Sequence, residues 1–340
     1  MNKKVKIPLI IASCILGICL ILASTYGILY LNGKNLFDKN FQNINAQNVE
    51  VDDNEITYKG NKYTLNKNII SALFIGVDKI DINQNKGYGK NGQADTLFIM
   101  ALDTKTGDIK IIPISRETMV DVDIYSSTGI YSGIENKQVC LAYAYGNSAE
   151  ESCENVLKSI KRILYGINVN GYVAVELDGI SEITNKIGGV KVTALRNFSH
   201  PNLHCKKGEE ITLKGAAATT YLQLRNEDLD SNSERMENQK QFLSSLASTM
   251  GNNIMSDYSN IITYYNTLSP YISTNLSLSQ ITYIATNFLK SDIGNEFDYK
   301  TINGKHIKGE KYIEFHPDED QLLDTIVDVF YIEKAVPTKK

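Results

Sequence analysis

Asp95-Thr96-Leu97-Phe98-Ile99-Met100-Ala101-Leu102-Asp103-Thr104-Lys105-Thr106-Gly107-Asp108-Ile109-Lys110-Ile111-Ile112-Pro113-Ile114-Ser115-Arg116-Glu117 is the stretch on which the fold turns. Thr96–Asp103 and Asp108–Ser115 are strand-like runs, and Thr104-Lys105-Thr106-Gly107 between them reads as a hairpin turn. With the turn centred near Thr106, Asp95 and Glu117 return opposite each other, to within one residue of register. Two carboxylates and the guanidinium of Arg116 then converge at one end of a sheet. Crowded carboxylates raise each other's pKa unless a cation lies between them. A hard divalent ion whose shell is completed by substrate phosphates suits such a pair, which describes Mg²⁺. The same residues also fit a plainer picture, two solvated acids beside an incidental arginine.

Working outward, Ser71-Ala72-Leu73-Phe74-Ile75-Gly76-Val77-Asp78 is a short apolar run, a buried strand, and a Gly/Asn-rich loop over 83–92 leads from it to Asp95. Helical patterns cover Ala149–Leu164, Gly179–Ile187, Ser233–Met250 and Leu278–Leu289, with further strands at Tyr172–Leu177 and Val190–Leu195. Gly188-Gly189 suits a helix end followed by a tight turn into a strand. Strands alternating with helices predict an α/β fold, an α-β-α sandwich with a central sheet that the hairpin makes mixed rather than parallel.

The N-terminus carries a different signal. Ile7 to Leu31 is a 25-residue stretch without charge, preceded by Lys3, Lys4 and Lys6. Such a helix spans a hydrocarbon core of ~30 Å, and the lysines belong inside. This predicts a cytoplasmic tail over 1–6, a transmembrane helix over 7–31, and a polar stalk over 32–68 that includes a small hairpin at Glu55–Thr64. The remaining 69–340 forms an extracytoplasmic catalytic domain, so the protein is expected in the cell membrane as a single-pass chain. The run is too long for a cleaved signal peptide, and Ala23-Ser24-Thr25 is a poor cleavage site. Ile11-Ala12-Ser13-Cys14 resembles a lipoprotein box, but cutting there would leave a long apolar run behind it. A tail this short leaves no room for a DNA-binding domain.

Bulk properties point the same way: a net charge of −4 argues against nucleic acid as a partner. Of five cysteines, Cys14 and Cys19 lie in the apolar run; Cys140, Cys153 and Cys205 have no zinc or redox spacing and read mainly as small buried hydrophobes, although one disulfide is compatible with an extracytoplasmic domain. His200-Pro201-Asn202-Leu203-His204-Cys205 lacks a fourth metal ligand. No nucleophile elbow, P-loop or His-Glu-x-x-His is present. A second polar constellation lies at Tyr221-Leu222-Gln223-Leu224-Arg225 and Ser233-Glu234-Arg235-Met236-Glu237-Asn238-Gln239. Arg235 and Gln239 share one helix face, and Arg235 stands in a first turn that already favours an anion. With Arg225 approaching, this would make a phosphate clamp; the alternative pairs Arg235 with Glu234 or Glu237 on a solvated face.

In order, Phe74-Ile75-Gly76-Val77-Asp78, Gln93-Ala94-Asp95-Thr96, Ser115-Arg116-Glu117-Thr118, Ala142-Tyr143-Ala144-Tyr145-Gly146, Gly188-Gly189-Val190, Gln223-Leu224-Arg225 and Arg235-Met236-Glu237-Asn238-Gln239 resemble the blocks of the LytR-CpsA-Psr family. The resemblance runs from about residue 69 to the C-terminus. It implies a lipid tunnel with a basic, Mg²⁺-binding mouth, and transfer of a wall glycopolymer such as teichoic acid or capsule from polyprenyl pyrophosphate to peptidoglycan. By position, Asp95 and Glu117 would bind Mg²⁺, Arg116, Arg225 and Arg235 the pyrophosphate, and Gln239 would orient it; Asp95, Arg116 and Arg235 would carry the chemistry. The chain departs from the family at Gln93, Gln223 and Asn238, each in place of an arginine, at Glu117 in place of an aspartate, and at Asn232, where many members have an aspartate. Those losses keep two alternatives open: a lipid-binding module without turnover, and a hydrolase of the same lipid.

Overall fold

Residues Ile69–Val77 send alternate side chains to opposite sides, and six of the nine are buried with both sides represented, so the strand they form must be covered on both faces. The computed structural model describes residues 24–38, 55–78, 88–90, 92–224, 231–289, 297–310 and 312–334. In it this strand, β3, lies near the middle of a six-stranded sheet. On one side β3 pairs in parallel with β8 (Gly171–Glu176), which pairs antiparallel with β13 (Ile272–Thr274). On the other side lie β4 (Ala94–Asp103) and β5 (Ile109–Ile114), the expected hairpin, and then β14 (Asp298–Tyr299), parallel to β5. The sheet is mixed, as the hairpin requires.

Leu73, Ile75, Ile99 and Ile112 point to one face, where α2 (Ala149–Ile163) and α8 (Glu319–Phe330) bury Val156, Ile160, Ile326 and Phe330 against them. Ser148 caps α2 by accepting from the Glu151 N–H, with acids in its first turn and Lys161 and Arg162 in its last. The opposite face carries Ala72, Phe74, Phe98, Met100 and Ile111. It is covered by α5 (Ser231–Ser256), α7 (Leu278–Phe288) and α1 (24–38), through Leu243, Ile284 and Phe37. Phe74 and Phe98 are cross-strand partners whose rings stack with centroids 4.8 Å apart.

Beside this sandwich, α3 (Leu177–Lys186) ends at Gly188 and Gly189, whose φ angles of 86° and 104° let the chain reverse into β9 (Val190–Thr193). That strand pairs with β12 (Glu210–Leu213); between them β10 (Phe198–His200) and β11 (Leu203–Cys205) form a hairpin, so the His-Pro-Asn-Leu-His-Cys segment is a turn of sheet with Cys205 buried. Together with α4 (Ala216–Gln223) they enclose a second core of Val190, Leu213, Tyr221 and Phe242 against α5. α6 (Asn260–Leu268) follows α5. Two hairpins, β6 (Met119–Tyr125) with β7 (Tyr131–Gln138) and β15 (Gly304–Lys308) with β16 (Ile313–Pro317), flank the open end of the β4–β5 pair.

The four expected helices all form, and α5 extends beyond Met250 to Ser256. The hairpin expected near Glu55–Thr64 is β1 (Glu55–Tyr58) with β2 (Asn61–Leu65), and it is stitched into the domain because β17 (Tyr331–Glu333) pairs with β2. Of the predicted transmembrane stretch, residues 7–23 lie outside the described residues. Residues 24–31 begin α1, which continues to 38 with Phe37 buried, so this part of the expected stalk is packed on the domain. Among the described residues no helix is long and apolar enough to cross a membrane. Cys140, Cys153 and Cys205 are buried free thiols, and burial pushes Cys153 up to about 12.

Leu73 has no exposed surface and sits at the centre of the first face. Leu73→Ala should lower unfolding free energy by about 2–5 kcal/mol, read as a fall in the urea midpoint at constant slope.

Candidate active site

The β4–β5 ladder pairs Leu102 with Ile109 and Leu97 with Ile114. Continued past Leu97, the same register brings Asp95 opposite Arg116 rather than Glu117. This corrects the expected pairing by one residue, and one residue exchanges the faces of a strand. The Arg116 guanidinium accordingly forms an ion pair with Asp95 Oδ1, and its Nη2 donates to Gln93 Oε1. Glu117 turns instead to the β15–β16 hairpin, where its Oε2 lies 3.6 Å from His306 Nε2.

The turn holding Arg116 is fixed from several directions. Thr118 Oγ1 donates to the Ser115 carbonyl at 2.7 Å, the Phe315 N–H donates to the Glu117 carbonyl at 2.8 Å, and the Cys140 N–H donates to the Arg116 carbonyl at 3.3 Å. Burial works against the guanidinium charge, yet Cys140, Asp95 and Glu117 hold the Arg116 pKa above its ordinary value. Its Nη2 approaches Cys140 Sγ at 3.7 Å, while burial pushes that thiol up in spite of the cation. The charge is thus retained inside a restricted environment, where its interactions with anions gain strength.

α5 supplies the other wall. Arg235 is only 7% exposed and reaches the Asp95 carbonyl, with Nη2 to O 3.5 Å. One turn on, Gln239 Nε2 donates to Thr96 Oγ1 at 2.9 Å. The neighbouring acids have other cations: Glu234 pairs with Arg196, and Glu237 with Lys240 at 2.8 Å. Arg235 therefore points inward rather than along a solvated face. Arg196 also donates to the Glu234 carbonyl at 2.9 Å, tying the start of α5 to the segment after β9. Arg225 lies outside the described residues.

Between α5 and the β4–β5 hairpin runs a narrow cleft, open to solvent. Asp95, Arg116, Gln239 and Lys240 line its polar part, and Phe98, Ile111, Pro113, Leu243 and Tyr299 its apolar part. Lys240 and Tyr299 were not legible as site residues. Lys240 directly follows Gln239 and could have been found by extending the helix face; Tyr299 arrives on β14 from far along the chain and fixes Lys240 by donating to its carbonyl at 2.8 Å. Among the described residues no group of three or more His, Cys, Asp or Glu side chains could hold a metal ion. Asp95 and Glu117, the two expected Mg²⁺ ligands, are hard oxygen donors, but Asp95 is engaged by Arg116 and Glu117 by His306, so as they stand they do not form a shared metal site.

Residues 30–327 match the LytR_cpsA_psr family. The chain belongs to this family. Among LytR_cpsA_psr relatives it is 26% identical, over 291 residues and 85% of each chain, to the polyisoprenyl-teichoic acid–peptidoglycan teichoic acid transferase TagU of Enterococcus faecalis. It is 27% identical over 238 residues to the corresponding TagV of Bacillus subtilis, covering 65% of this chain and 55% of the relative. The crystal structure of B. subtilis TagV shares the fold, with a TM-score of 0.62 at 23% identity over 78% of this chain and 97% of that one.

Each amide that stands in place of a family arginine has a local partner here. Gln93 accepts from Arg116, Gln223 Nε2 donates to Asp78 Oδ1 at 3.3 Å, and Asn238 Nδ2 donates to the Tyr221 carbonyl at 3.2 Å. Asn238 has no exposed surface. Restoring an arginine there should therefore overpack the α4–α5 contact: Asn238→Arg should cost about 1–3 kcal/mol of stability by chemical denaturation. An unchanged midpoint would show instead that the position has room for the longer side chain.

Proposed function

We propose that the chain transfers a glycopolymer from a polyprenyl pyrophosphate carrier to peptidoglycan. One observation carries this reading: a single cleft joins a mouth of Asp95, Arg116, Gln239 and Lys240, behind which Arg235 reaches the Asp95 carbonyl, to an apolar wall of Phe98, Ile111, Pro113 and Leu243. That combination suits a ligand with a pyrophosphate at one end and a hydrocarbon at the other. The names of the E. faecalis and B. subtilis relatives describe transfer of teichoic acid from a polyisoprenyl carrier to peptidoglycan, which supports the same reaction class.

In this reading Arg116, Arg235 and Arg225 hold the pyrophosphate, with Gln239 orienting it from one turn along α5. Asp95 keeps Arg116 aimed into the cleft. Mg²⁺ would be held by Asp95 and by Glu117, the latter released from His306, and would neutralise charge on the phosphate oxygens. An acceptor sugar hydroxyl attacks the phosphorus nearer the glycan and forms a new P–O bond. The bond to the bridging oxygen breaks, polyprenyl phosphate leaves, and the hydroxyl proton passes to solvent. Arg116 and Arg235 stabilise the charge that develops on the transferring group. The uncharged run that begins at Ile7 serves as the anchor up to residue 24, where α1 packs on the domain, and holds that domain outside the cell membrane, where both carrier and wall are found.

The test incubates the full-length protein with a short-chain polyprenyl-pyrophosphate disaccharide and wall oligosaccharides, with and without Mg²⁺. Metal-dependent transfer is expected, and Arg235→Ala should lower kcat/KM by about 10- to 100-fold, the loss of one or two charge-assisted hydrogen bonds. The engagement of Arg116 by both Gln93 and Asp95 favours a second reading, tight binding without turnover. Retained lipid with no product would establish that reading, and phosphate release without acceptor would establish a hydrolase.

A further inference from the structure

Residues Tyr26, Tyr30, Gly33 and Phe37 recur at helical spacing and form one stripe along α1. This stripe lies on α7. Tyr26 Oη is 2.6 Å from Thr286 Oγ1, the Tyr30 and Tyr283 ring centroids are 5.0 Å apart, and those of Phe37 and Tyr283 are 6.0 Å apart. At Gly33 the helices come so close that a Cβ would sit 2.1 Å from the Ser279 carbonyl oxygen. The order of contacts, from Tyr26 on Thr286 to Gly33 on Ser279, makes the two helices antiparallel. α1 is thus clasped to the domain along most of its length, and the clasp leaves no slack between the domain and whatever precedes residue 24.

What precedes it is the uncharged, apolar sequence from Ile7 to Ala23. At the same end of the molecule the surface is unusually apolar. Ile28 and Leu31 on the outer side of α1 are 58% and 57% exposed, and Met255, Tyr258 and Ile262 near the α5–α6 junction are 56%, 54% and 48% exposed. The two groups adjoin: the Tyr26 and Tyr258 ring centroids are 5.8 Å apart, and Tyr26 packs beside the buried Ile254 and Ile261. Asp257, the acid in this rim, is turned back to accept from the Ser259 N–H at 2.9 Å.

We infer that this rim, formed by Ile28, Leu31, Met255, Tyr258 and Ile262, is a membrane-contact surface that seats the domain on the lipid bilayer. The inference rests on the reading of the apolar run that precedes α1 as the anchor and extends it from the segment to the folded domain. Apolar side chains mixed with tyrosine at the end of a spanning segment suit the boundary between headgroups and acyl chains. Seating also fixes a distance. Arg235 and Met255 stand 20 residues apart on α5, so the pyrophosphate mouth lies at most about 30 Å from the rim along that helix. A lipid carrier must then leave the bilayer plane by up to that length to reach Arg235, along the face of the sheet that α5 and α7 cover.

Because the chain contains no tryptophan, single reporters read position cleanly. The full-length protein is reconstituted into phosphatidylcholine vesicles, and each variant is quenched by acyl-brominated phosphatidylcholine and by aqueous iodide. Tyr258→Trp and Ile262→Trp should lose fluorescence to the brominated lipid and be shielded from iodide. Ile130→Trp, at the exposed tip of the β6–β7 hairpin, should show the reverse. Leu20→Trp, inside the apolar run, should be quenched by brominated lipid alone. If Leu20→Trp responds so but both rim reporters behave like Ile130→Trp, the membrane-contact surface is overturned and the anchor stands. If Leu20→Trp also escapes the brominated lipid, the anchor reading itself falls and the rim with it.

Discussion

The register of the β4–β5 hairpin is the constraint on which the rest depends. By returning Arg116 against Asp95, it places a permanent cation at the end of the sheet and ties it to a carboxylate across the ladder. A slip of one residue would put Glu117 in that place and send the guanidinium to the other face. The register is pinned by burial on both faces, since Leu97, Ile99, Ile112 and Ile114 belong to one core and Met100, Leu102, Ile109 and Ile111 to another. The geometry of the site is therefore a consequence of the two cores, and it needs no strained backbone to maintain it.

Around this hairpin the domain assembles two unlike walls. α5 brings Arg235 and Gln239 to the polar end and Leu243 to the apolar one, all on a single helix whose start is held by Arg196 and whose flank packs against the second core through Phe242. A rigid helix spanning both chemistries sets the distance between them, which a loop could not do. Tyr299 closes the apolar end by meeting Phe297 edge-on and bonding α5. The polar and the apolar ends of the cleft thus share one structural element.

Much of this was legible in the residues. The alternation of Ser71–Val77, the turn Thr104–Gly107 and the paired glycines at 188 and 189 are local signals, and each formed where expected. The convergence of Asp95 and Arg116 was legible too, but not which neighbour would face Asp95, because turn geometry alone leaves one residue of uncertainty. The β6–β7 arm was missed although Val120-Asp121-Val122-Asp123 alternates, and α8 was missed although Asp318 caps it by accepting from the Gln321 N–H. Contacts such as Lys240 with Tyr299, Glu117 with His306, and Arg196 with Glu234 join segments far apart in the chain. No periodicity announces them; only the packed structure brings them together. The family blocks pointed to Gln93, Gln223 and Asn238 as lost arginines, and the fold shows what each amide does in its place.

In the proposed reaction Asp95 acts on the ligand through Arg116. A double-mutant cycle tests it directly, using the affinity of the wild type, Asp95→Asn, Arg116→Met and the double variant for a short-chain polyprenyl pyrophosphate in the absence of metal. If Asp95 holds the guanidinium in place, Asp95→Asn weakens binding in the wild type but costs little once Arg116 is gone, a coupling of about 1 kcal/mol or more. Additive losses, or tighter binding when Asp95 is neutralised in both backgrounds, would contradict the account.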